Sequence, residues 1–283
     1  MMTRKTKKTL SHIVLYSVLI LIAVLTLFPL LWGVSASLRD DSELYTYVMP
    51  FSIHTLIPVK WTVKSYVELF TVYGFLKPVL NTVLVTAISI AFGCVLNSVA
   101  AFAFAMFDFR FKKPLFSLVL ISFMIPFEAI ALPLYRVADK MKMVDTFQGM
   151  ILPSIASGLV LFLFVQFFKD IPAELLDAAR IDGANIGKIY SSILIPLSKP
   201  VFITAGLMIF MDQWNSYLWP LLIARSKDIR TIQIALTAFN TEHSTAWSAL
   251  YAGSMFSALI PLLLFLPLQK YFVQGITSSG VKG

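Results

Sequence analysis

Long stretches without charged side chains constrain this sequence more than any other feature. A helix rises about 1.5 Å per residue and needs roughly 20 apolar residues to cross about 30 Å of hydrocarbon. Six intervals between charged residues, two of which contain one acid each, reach that length, and only 13% of the 283 residues are charged. We therefore predict an all-α membrane protein, with one transmembrane domain over residues 1–283 and six spans, at residues 10–38, 78–106, 114–135, 147–168, 200–223 and 246–269.

The basic residues determine the predicted orientation. Six spans place both termini on one side of the membrane, and the N-terminal "TRKTKK" puts four Lys and Arg residues beside the first span. Basic residues close to a span favour the cytoplasmic side, although over all loops the excess is only thirteen to ten. We predict that both termini are cytoplasmic, with an N-terminal segment at residues 1–9 and a cytoplasmic loop at residues 169–199.

A cleaved signal peptide is the competing interpretation of the first span. The stretch "GVSA" at residues 33–36 has the small side chains of a cleavage site. However, the apolar run "IVLYSVLILIAVLTLFPLLWGVSA" has 24 residues, whereas a signal core usually has about 7–15. The length favours an uncleaved membrane anchor.

Composition argues against several other classes of protein. Cys94 is the single cysteine and the three histidines are scattered, so we expect neither a metal site nor a catalytic cluster, and no enzyme. The net charge of +8 comes without the basic stripe and interleaved aromatic residues that are typical of nucleic-acid binding. It suits contact between cytoplasmic loops and anionic membrane lipid, so no nucleic-acid partner is expected.

One polar segment interrupts the apolar sequence. The stretch "ELLDAARIDGANIGKIYSSILIPLSKP" runs from Glu174 to Pro200 and predicts two short helices. Pro172 and Glu174 suit the first turn of the first helix, and Gly183 suits a left-handed cap at its end. The second helix then carries an apolar stripe on one face, formed by Ile186, Ile189, Tyr190, Ile193 and Leu194.

Two functions fit such a pair of helices. The small side chains of Ala178 and Ala179 would let another protein surface approach closely, as docking requires. The alternative is an amphipathic pair that lies on the bilayer, since the same apolar stripe serves both purposes.

The polar segment also matches a known signature. The stretch "DAARIDGANIGKIYSSILIP" resembles the signature loop of ATP-binding cassette importer permeases, which reads EAA, three residues, G, nine residues, I, one residue, LP. Asp177 stands in place of Glu and Ile195 in place of Leu. The positions that agree are Ala178, Ala179, Gly183, Ile193 and Pro196.

The resemblance extends over most of the chain. The stretches "IPAELLDAARIDGA", "WNSYLWPL" at residues 214–221 and the ending "QKYFVQGITSSGVKG" resemble the carbohydrate-uptake class, in particular the smaller membrane subunit of maltose-type importers. The resemblance implies a multi-pass permease of the plasma (inner) membrane that imports a sugar or oligosaccharide and forms half of the translocation pathway. Its signature loop would be a coupling helix that contacts the ATPase through Glu174, Asp177, Ala178, Ala179, Asp182, Gly183, Ile193 and Pro196.

The same resemblance implies partners: a second permease subunit, a dimer of ATP-binding cassette ATPases and an extracytoplasmic solute-binding protein. ATP and Mg²⁺ would be used by the ATPase. The stretch "GANIGK" at residues 183–188 does not fit a phosphate loop, because three residues rather than four separate its glycines and Ile189 follows its lysine. We expect no cofactor on this chain. A permease for a non-sugar solute is the alternative within the family.

Two acids fall inside predicted spans. Because an Asp at the centre of a span costs at least roughly 2.5–3.5 kcal/mol on insertion scales, Glu128 and Asp212 should face a cavity or a partner. Asp212, Asn215 and Trp219 are spaced i, i+3, i+7, and on one helical face they would suit the hydroxyl groups and C–H faces of a sugar in a translocation path. Alternatively, these polar groups only bond neighbouring helices.

An ion-coupled secondary carrier, with the two acids as relays, is a further alternative. Such a carrier would normally show two related halves within one chain. The sequence has no internal repeat. This argues against the carrier and favours a subunit of a larger assembly.

Overall fold

The computed structural model describes residues 4–48, 50, 52–239 and 246–280, with side chains for residues 12–48, 50, 52–239 and 246–270. The described residues form helices and turns without a strand. The side chains of the basic segment "TRKTKK" and of residues 271–283 lie outside this description, as does Glu242. Contacts divide the chain into two compact units, residues 1–75 with 236–259 and residues 76–235 with 260–283.

The first unit contains one long helix and short elements that follow it. They are α1 (Arg4–Ser37), a 3₁₀ turn (Ile53–Thr55), α2 (Lys64–Thr71) and the first part of α14 (Trp247–Gly280).

The second unit contains the shorter membrane helices and the polar segment. Its elements are α3 (Leu76–Met106), α4 (Lys112–Met124), α5 (Phe127–Lys140), α6 (Phe147–Ile155), α7 (Gly158–Lys169), α8 (Ala173–Ile181), α9 (Ile186–Lys188), a π-helical turn (Ile189–Leu194), α10 (Ile195–Leu197), α11 (Lys199–Trp214), α12 (Leu218–Ile223), a 3₁₀ turn (Lys227–Ile229), α13 (Ile232–Thr237) and the end of α14.

A buried arginine organises the chain after α1. Arg39 is 1% exposed and donates to the Ser35 hydroxyl at 2.6 Å, the His54 carbonyl at 2.8 Å and the Thr55 carbonyl at 3.0 Å. Burial lowers the pKa of the Arg39 guanidinium, and the nearby Glu43 partly offsets that effect. The guanidinium therefore uses its donors to hold the 3₁₀ turn against the end of α1.

The central helix of the second unit is α3, which packs against α6, α7 and α11. Its buried face carries small or polar side chains, which are Thr82, Thr86, Ser89, Gly93, Asn97 and Ser98. Small side chains let membrane helices approach closely. A Cβ atom on Gly93 would lie 2.9 Å from Ile209 Cδ1 and 3.5 Å from the Ile155 carbonyl oxygen, so these helices meet at the glycine.

In the described part of the chain, four helical stretches are long and apolar enough to cross a membrane, and up to six if each of two bent pairs forms one span. The four are His12–Ser37, Leu76–Met106, Phe147–Lys169 and Trp247–Lys270. They occupy the predicted spans 10–38, 78–106, 147–168 and 246–269. The architecture is thus all-α, while the span boundaries stay predictions.

The predicted span 114–135 is not one straight helix. Helices α4 and α5 meet there at an angle of 103°. Ile125 precedes Pro126 and is extended, with φ −78° and ψ 121°. The proline ring disfavours helical geometry at the preceding residue, so the chain leaves the helix at this point.

The predicted span 200–223 is also interrupted. Helix α11 ends at Trp214, and α12 begins only at Leu218. At its other end, α11 is bent by 80° relative to the stretch Ile186–Leu197, with Pro200 in its first turn. Proline at this position needs no intrahelical partner for its nitrogen and therefore suits a helix start.

The Asn97 side chain forms hydrogen bonds with backbone groups at the break between α6 and α7. It is 2% exposed, and its amide nitrogen donates to the carbonyls of Gly93 at 2.7 Å and Ile155 at 2.8 Å. Its amide oxygen accepts from the Ser157 backbone N–H at 3.1 Å. Backbone groups freed inside a membrane protein need such partners because lipid offers none.

Candidate functional site

The predicted cytoplasmic loop at residues 169–199 contains most of the polar segment, and it forms the two predicted helical stretches. The first is α8, which Pro172 precedes in an extended conformation and which has Glu174 in its first turn. Proline before the first turn gives up no helical bond, and an acid there interacts favourably with the helix dipole. The second stretch runs from Ile186 to Leu197 through the π-helical turn.

Gly183 ends α8 in a Schellman motif, the double hydrogen bond that often closes a helix. Its φ is +78°, as the sequence predicted. Its N–H donates to the Arg180 carbonyl at 3.0 Å, and the N–H of Ala184 donates to the Ala179 carbonyl at 2.9 Å. These are the two bonds of the motif. Apart from its two neighbours in sequence, no described residue has an atom within 4 Å of the position that a Cβ on Gly183 would take, so the turn is open on that side.

The two alanines of the signature lie on different faces of α8. Ala179 is 8% exposed and packs with Leu176 into the protein's own core, whereas Ala178 is exposed. The expectation that both alanines form a small-residue docking surface is therefore wrong for Ala179, because consecutive residues of an α-helix point in directions about 100° apart. Ile181, at the end of α8, is 86% exposed.

The acidic residues of the polar segment are exposed. Glu174, Asp177 and Asp182 all face away from the core. Asp177 accepts from the Arg180 guanidinium at 3.0 Å, a helical pair three residues apart. Such exposed pairs contribute little to stability, so these charges remain available for contact with another molecule.

The apolar stripe of the second stretch is largely confirmed. Ile189 and Leu194 are buried, and Tyr190 and Ile193 are half-buried against the same core, whereas Ile186 is 58% exposed. The predicted contact residue Ile193 thus packs inward, and the sequence offered no signal that separates packing from docking.

A widened helical turn precedes Pro196. The Ile195 N–H donates to the Tyr190 carbonyl, five residues back. Proline has no N–H and its ring collides with the carbonyl four residues earlier, which here belongs to Ser192. The π-helical turn gives the ring more room, so the helix continues to Leu197 instead of stopping at the proline. Pro196 itself is exposed.

The predicted membrane face of Asp212, Asn215 and Trp219 does not form. Asn215 caps the end of α11 and donates to the Met211 carbonyl at 2.8 Å. Asp212 is exposed and accepts from the Gln213 side chain at 3.0 Å. The i, i+3, i+7 spacing required an unbroken helix, and the helix ends at Trp214.

Trp219 has a packing role instead. It is 6% exposed, lies edge-on to Phe127 at 6.0 Å, and its indole N–H donates to the Gly149 carbonyl at 3.0 Å. Trp219 is buried against its own chain and has no free ring face for a sugar, so the prediction that it lines a translocation path is wrong.

Glu128 lies in the first turn of α5, directly after the 103° bend, and is exposed. An acid at a helix N-terminus is stabilised by the helix dipole. Glu128 and Asp212 thus lie on the surface of this chain and not in its core. Among the described residues, no group of three or more His, Cys, Asp and Glu side chains is arranged to bind a metal.

Comparison with known proteins agrees with this geometry. Residues 89–278 match the family described as "Binding-protein-dependent transport system inner membrane component". The chain is 34% identical over 285 residues, with 100% of both chains covered, to the arabinooligosaccharides transport system permease protein AraQ of Halalkalibacterium halodurans. It is 30% identical to the lactose transport system permease protein LacG of Rhizobium radiobacter, over 96% of this chain and 97% of that protein.

Two further similarities matter for the function. The sn-glycerol-3-phosphate transport system permease protein UgpE of Rhizobium meliloti is 32% identical over 96% of this chain and 98% of its own. A crystal structure of a bacterial ABC transporter involved in alginate import contains a chain with the same fold, with a TM-score of 0.83 at 21% identity, over 96% and 99% of the two chains.

The matching family and the relatives are transport permeases, and the bent helices with an exposed polar segment have the fold of the solved importer chain. The chain belongs to the family of binding-protein-dependent transport system inner membrane components, and it is a multi-pass permease subunit of an ATP-binding cassette import system.

Proposed function

We propose that this chain is a permease subunit that imports a sugar or oligosaccharide, together with a second permease, two ATPase subunits and an extracytoplasmic solute-binding protein. The observation that carries the proposal is the exposed, Schellman-capped turn at Gly183, which stands at the signature position of importer permeases. Relatives named for arabino-oligosaccharide and lactose transport support the sugar class.

The polar segment is the proposed ATPase contact, and it would then be cytoplasmic together with both termini. The exposed residues of α8 and its cap, Glu174, Asp177, Ala178, Asp182 and Gly183, form the proposed contact surface. The 86% exposure of Ile181 supports it, because a large apolar side chain at a polar helix end becomes buried when a partner docks. ATP and Mg²⁺ bind the partner ATPase in this proposal.

The exposed acids favour a neutral solute. If Asp212 and Glu128 face the pathway that this chain shares with the second permease, their carboxylates accept hydrogen bonds from sugar hydroxyls. A phosphate group would instead be repelled by the two like charges. Glycerol 3-phosphate, suggested by the UgpE relatives, is therefore the second candidate.

The test is transport by the assembled system. The chain is coexpressed with a second permease, an ATPase and a solute-binding protein from the same genome, and the complex is reconstituted in vesicles with internal ATP. Uptake is compared for labelled arabino-oligosaccharide, lactose and glycerol 3-phosphate. ATP-dependent uptake of either carbohydrate supports the proposal, and uptake of glycerol 3-phosphate alone supports the second candidate. Uptake by this chain alone, driven by a proton gradient, would contradict both.

A further inference from the structure

A polar contact between two described side chains joins the polar segment to the central helix α3. The Tyr190 hydroxyl lies 2.7 Å from the Ser98 hydroxyl, across 92 positions of sequence. Ser98 is completely buried and Tyr190 is half-buried, and the Tyr190 ring packs against Phe102 with 5.4 Å between ring centroids.

The direction of this hydrogen bond follows from the number of protons available. The Ser98 hydroxyl donates its proton to the Val95 carbonyl at 3.1 Å, within its own helix. A serine hydroxyl has one proton to donate and two lone pairs that accept. Tyr190 is therefore the donor and Ser98 the acceptor, and neither hydroxyl is left unpaired.

The surrounding contacts are apolar. Leu176, Ala179, Ile189 and Leu194 of the polar segment share one hydrophobic cluster with Ala101 and Phe102 of α3. Hydrophobic contacts are not directional, so they hold the two elements together without fixing which turn of one meets which turn of the other. The hydroxyl pair is directional and fixes that alignment.

The other end of α3 holds a second segment of the chain. The Asn81 side chain donates to the carbonyls of Asp228 at 2.8 Å and Arg230 at 2.9 Å. The Thr82 hydroxyl accepts from the Ile232 N–H at 2.9 Å. Seventeen residues separate Asn81 from Ser98 in the uninterrupted helix, which is about 25 Å of helix length.

We infer that Tyr190 and Ser98 are positioning residues whose hydrogen bond makes α3 move with the polar segment, so that motion of a docked ATPase reaches residues 228–232. The inference rests on the proposed function. It differs from ATPase docking itself, because neither hydroxyl is on the exposed surface of the polar segment.

The native Cys94 reports on α3 directly. It lies on α3 one turn before Ser98, is half-buried and is the chain's single cysteine. The complex is assembled with cysteine-free partner subunits in lipid vesicles. The rate of Cys94 modification by N-ethylmaleimide is then measured without nucleotide, with ATP, and with ATP plus vanadate, so no transported solute is required.

Four variants separate the inference from general packing. Tyr190→Phe removes the donor and retains the ring against Phe102, Ser98→Ala removes the acceptor, and the double variant removes both. Ser89→Ala is the matched control, because Ser89 forms a similar hydroxyl pair between α3 and α6 with Ser154 at 3.2 Å, away from the polar segment.

We expect Tyr190→Phe and Ser98→Ala each to reduce the ATP-dependent change in the rate of Cys94 modification about fivefold. This factor corresponds to the free energy of one neutral hydrogen bond, about 1 kcal/mol. Copurified ATPase should stay at the wild-type level, and the double variant should lose no more than either single variant. Ser89→Ala should retain the full change.

Three results would overturn the inference. They are a full response in Tyr190→Phe, an equal loss in Ser89→Ala, and a wild-type complex that hydrolyses ATP without any change at Cys94. If Tyr190→Phe fails to assemble, Ser98→Ala provides the same comparison from the α3 side. Failure of the proposed function is a separate result, since it would appear as a wild-type chain that captures no ATPase.

Discussion

The indole N–H of Trp219 donates a hydrogen bond to the carbonyl oxygen of Gly149, 3.0 Å away. This bond ties α12 to α6, and the fit is close. A Cβ atom on Gly149 would lie 2.1 Å from the Met143 carbonyl oxygen, so a larger residue cannot occupy that position without moving the backbone. The aromatic side chain that seemed suited to a sugar therefore holds two helices together.

This bond predicts the effect of Trp219→Phe. The variant retains an aromatic ring beside Phe127 but leaves the Gly149 carbonyl without its donor, at a cost of about 1–3 kcal/mol. We expect a lower melting temperature of the purified complex and unchanged selectivity among solutes. Tyr217→Phe is the control, since Tyr217 is 44% exposed. Altered selectivity at unchanged stability would show that Trp219 contacts the solute after all.

The left-handed backbone of Gly183 is the basis of a second prediction. At φ +78°, any residue with a Cβ pays a left-handed penalty of about 1–2 kcal/mol. Within this chain a Cβ at Gly183 contacts no residue beyond its neighbours in sequence. Valine adds backbone strain of its own, because a β-branched residue fits a positive φ poorly. Loss of copurified ATPase without loss of membrane abundance therefore indicates contact with a partner. We expect copurified ATPase and uptake to fall from wild type through Gly183→Ala to Gly183→Val, at equal membrane abundance. Gly187→Ala, four residues on and inside α9, is the control. Wild-type uptake in the valine variant would show that the turn does not dock.

The sequence predicted features that depend on local rules. The Schellman cap at Gly183 needed only a glycine after a run of helix formers, and the inward stripe at Ile189 and Leu194 needed only helical spacing. Three of the six apolar stretches form single long helices, α1, α3 and α14, and a fourth forms α6 and α7 in succession. Each of these follows from residues close together in the chain.

The sequence did not predict the break after Trp214. The stretch from residue 200 to 223 has no charge except Asp212, yet the helix ends at Trp214, because α12 packs separately with Trp219 bonded to a residue 70 positions away. Spacing alone also could not show that Ala179 faces the core while Ala178 faces outward. Both outcomes depend on contacts between distant parts of the chain.

The hydrogen bonds of Asn97 are the basis of a third prediction, which concerns stability. Asn97→Ala removes the partners of the Ile155 carbonyl and the Ser157 N–H at the break between α6 and α7. Each buried group left unpaired costs about 1–3 kcal/mol. We expect low membrane abundance and a reduced melting temperature, whereas Asn215→Ala, at an exposed helix end, should remain near wild type. Equal stability of the two variants would mean that lipid or water satisfies the break.

Four exposed residues test the proposed orientation. Lys142 and Asp228 should be extracytoplasmic, and Arg110 and Lys188 cytoplasmic; all four are exposed. With Cys94 replaced, single cysteines at these positions are treated with a membrane-impermeant maleimide in intact cells. We expect modification at the first two positions only, and at all four after permeabilisation. Modification at Lys188 but not at Asp228 in intact cells would reverse the orientation.

Asp145 lies outside the apolar helices, and its lowered pKa predicts that the stability of the protein depends on pH. Its carboxylate accepts from the Ser226 backbone N–H at 2.8 Å. This hydrogen bond is the main cause that lowers the pKa of Asp145, and Arg225 contributes as well. A carboxyl group whose pKa is lowered by folding stabilises the folded state above its unfolded pKa, which is about 3.9 for aspartate, and that contribution is lost as the pH falls through the folded pKa.

Asp145→Asn isolates this contribution, because asparagine also tolerates the left-handed backbone found here, at φ +61°. We expect wild type to melt at a higher temperature than the variant near neutral pH. The difference should shrink as the pH falls below the ordinary aspartate pKa, because the unfolded chain then takes up a proton that the folded chain, with its lowered pKa, does not. The measurement is the melting temperature of the purified complex between pH 3 and 7 for both proteins, at constant ionic strength. A difference that disappears well above pH 4, or that is absent at every pH, would show that the Asp145 charge does not hold residues 223–226 in place.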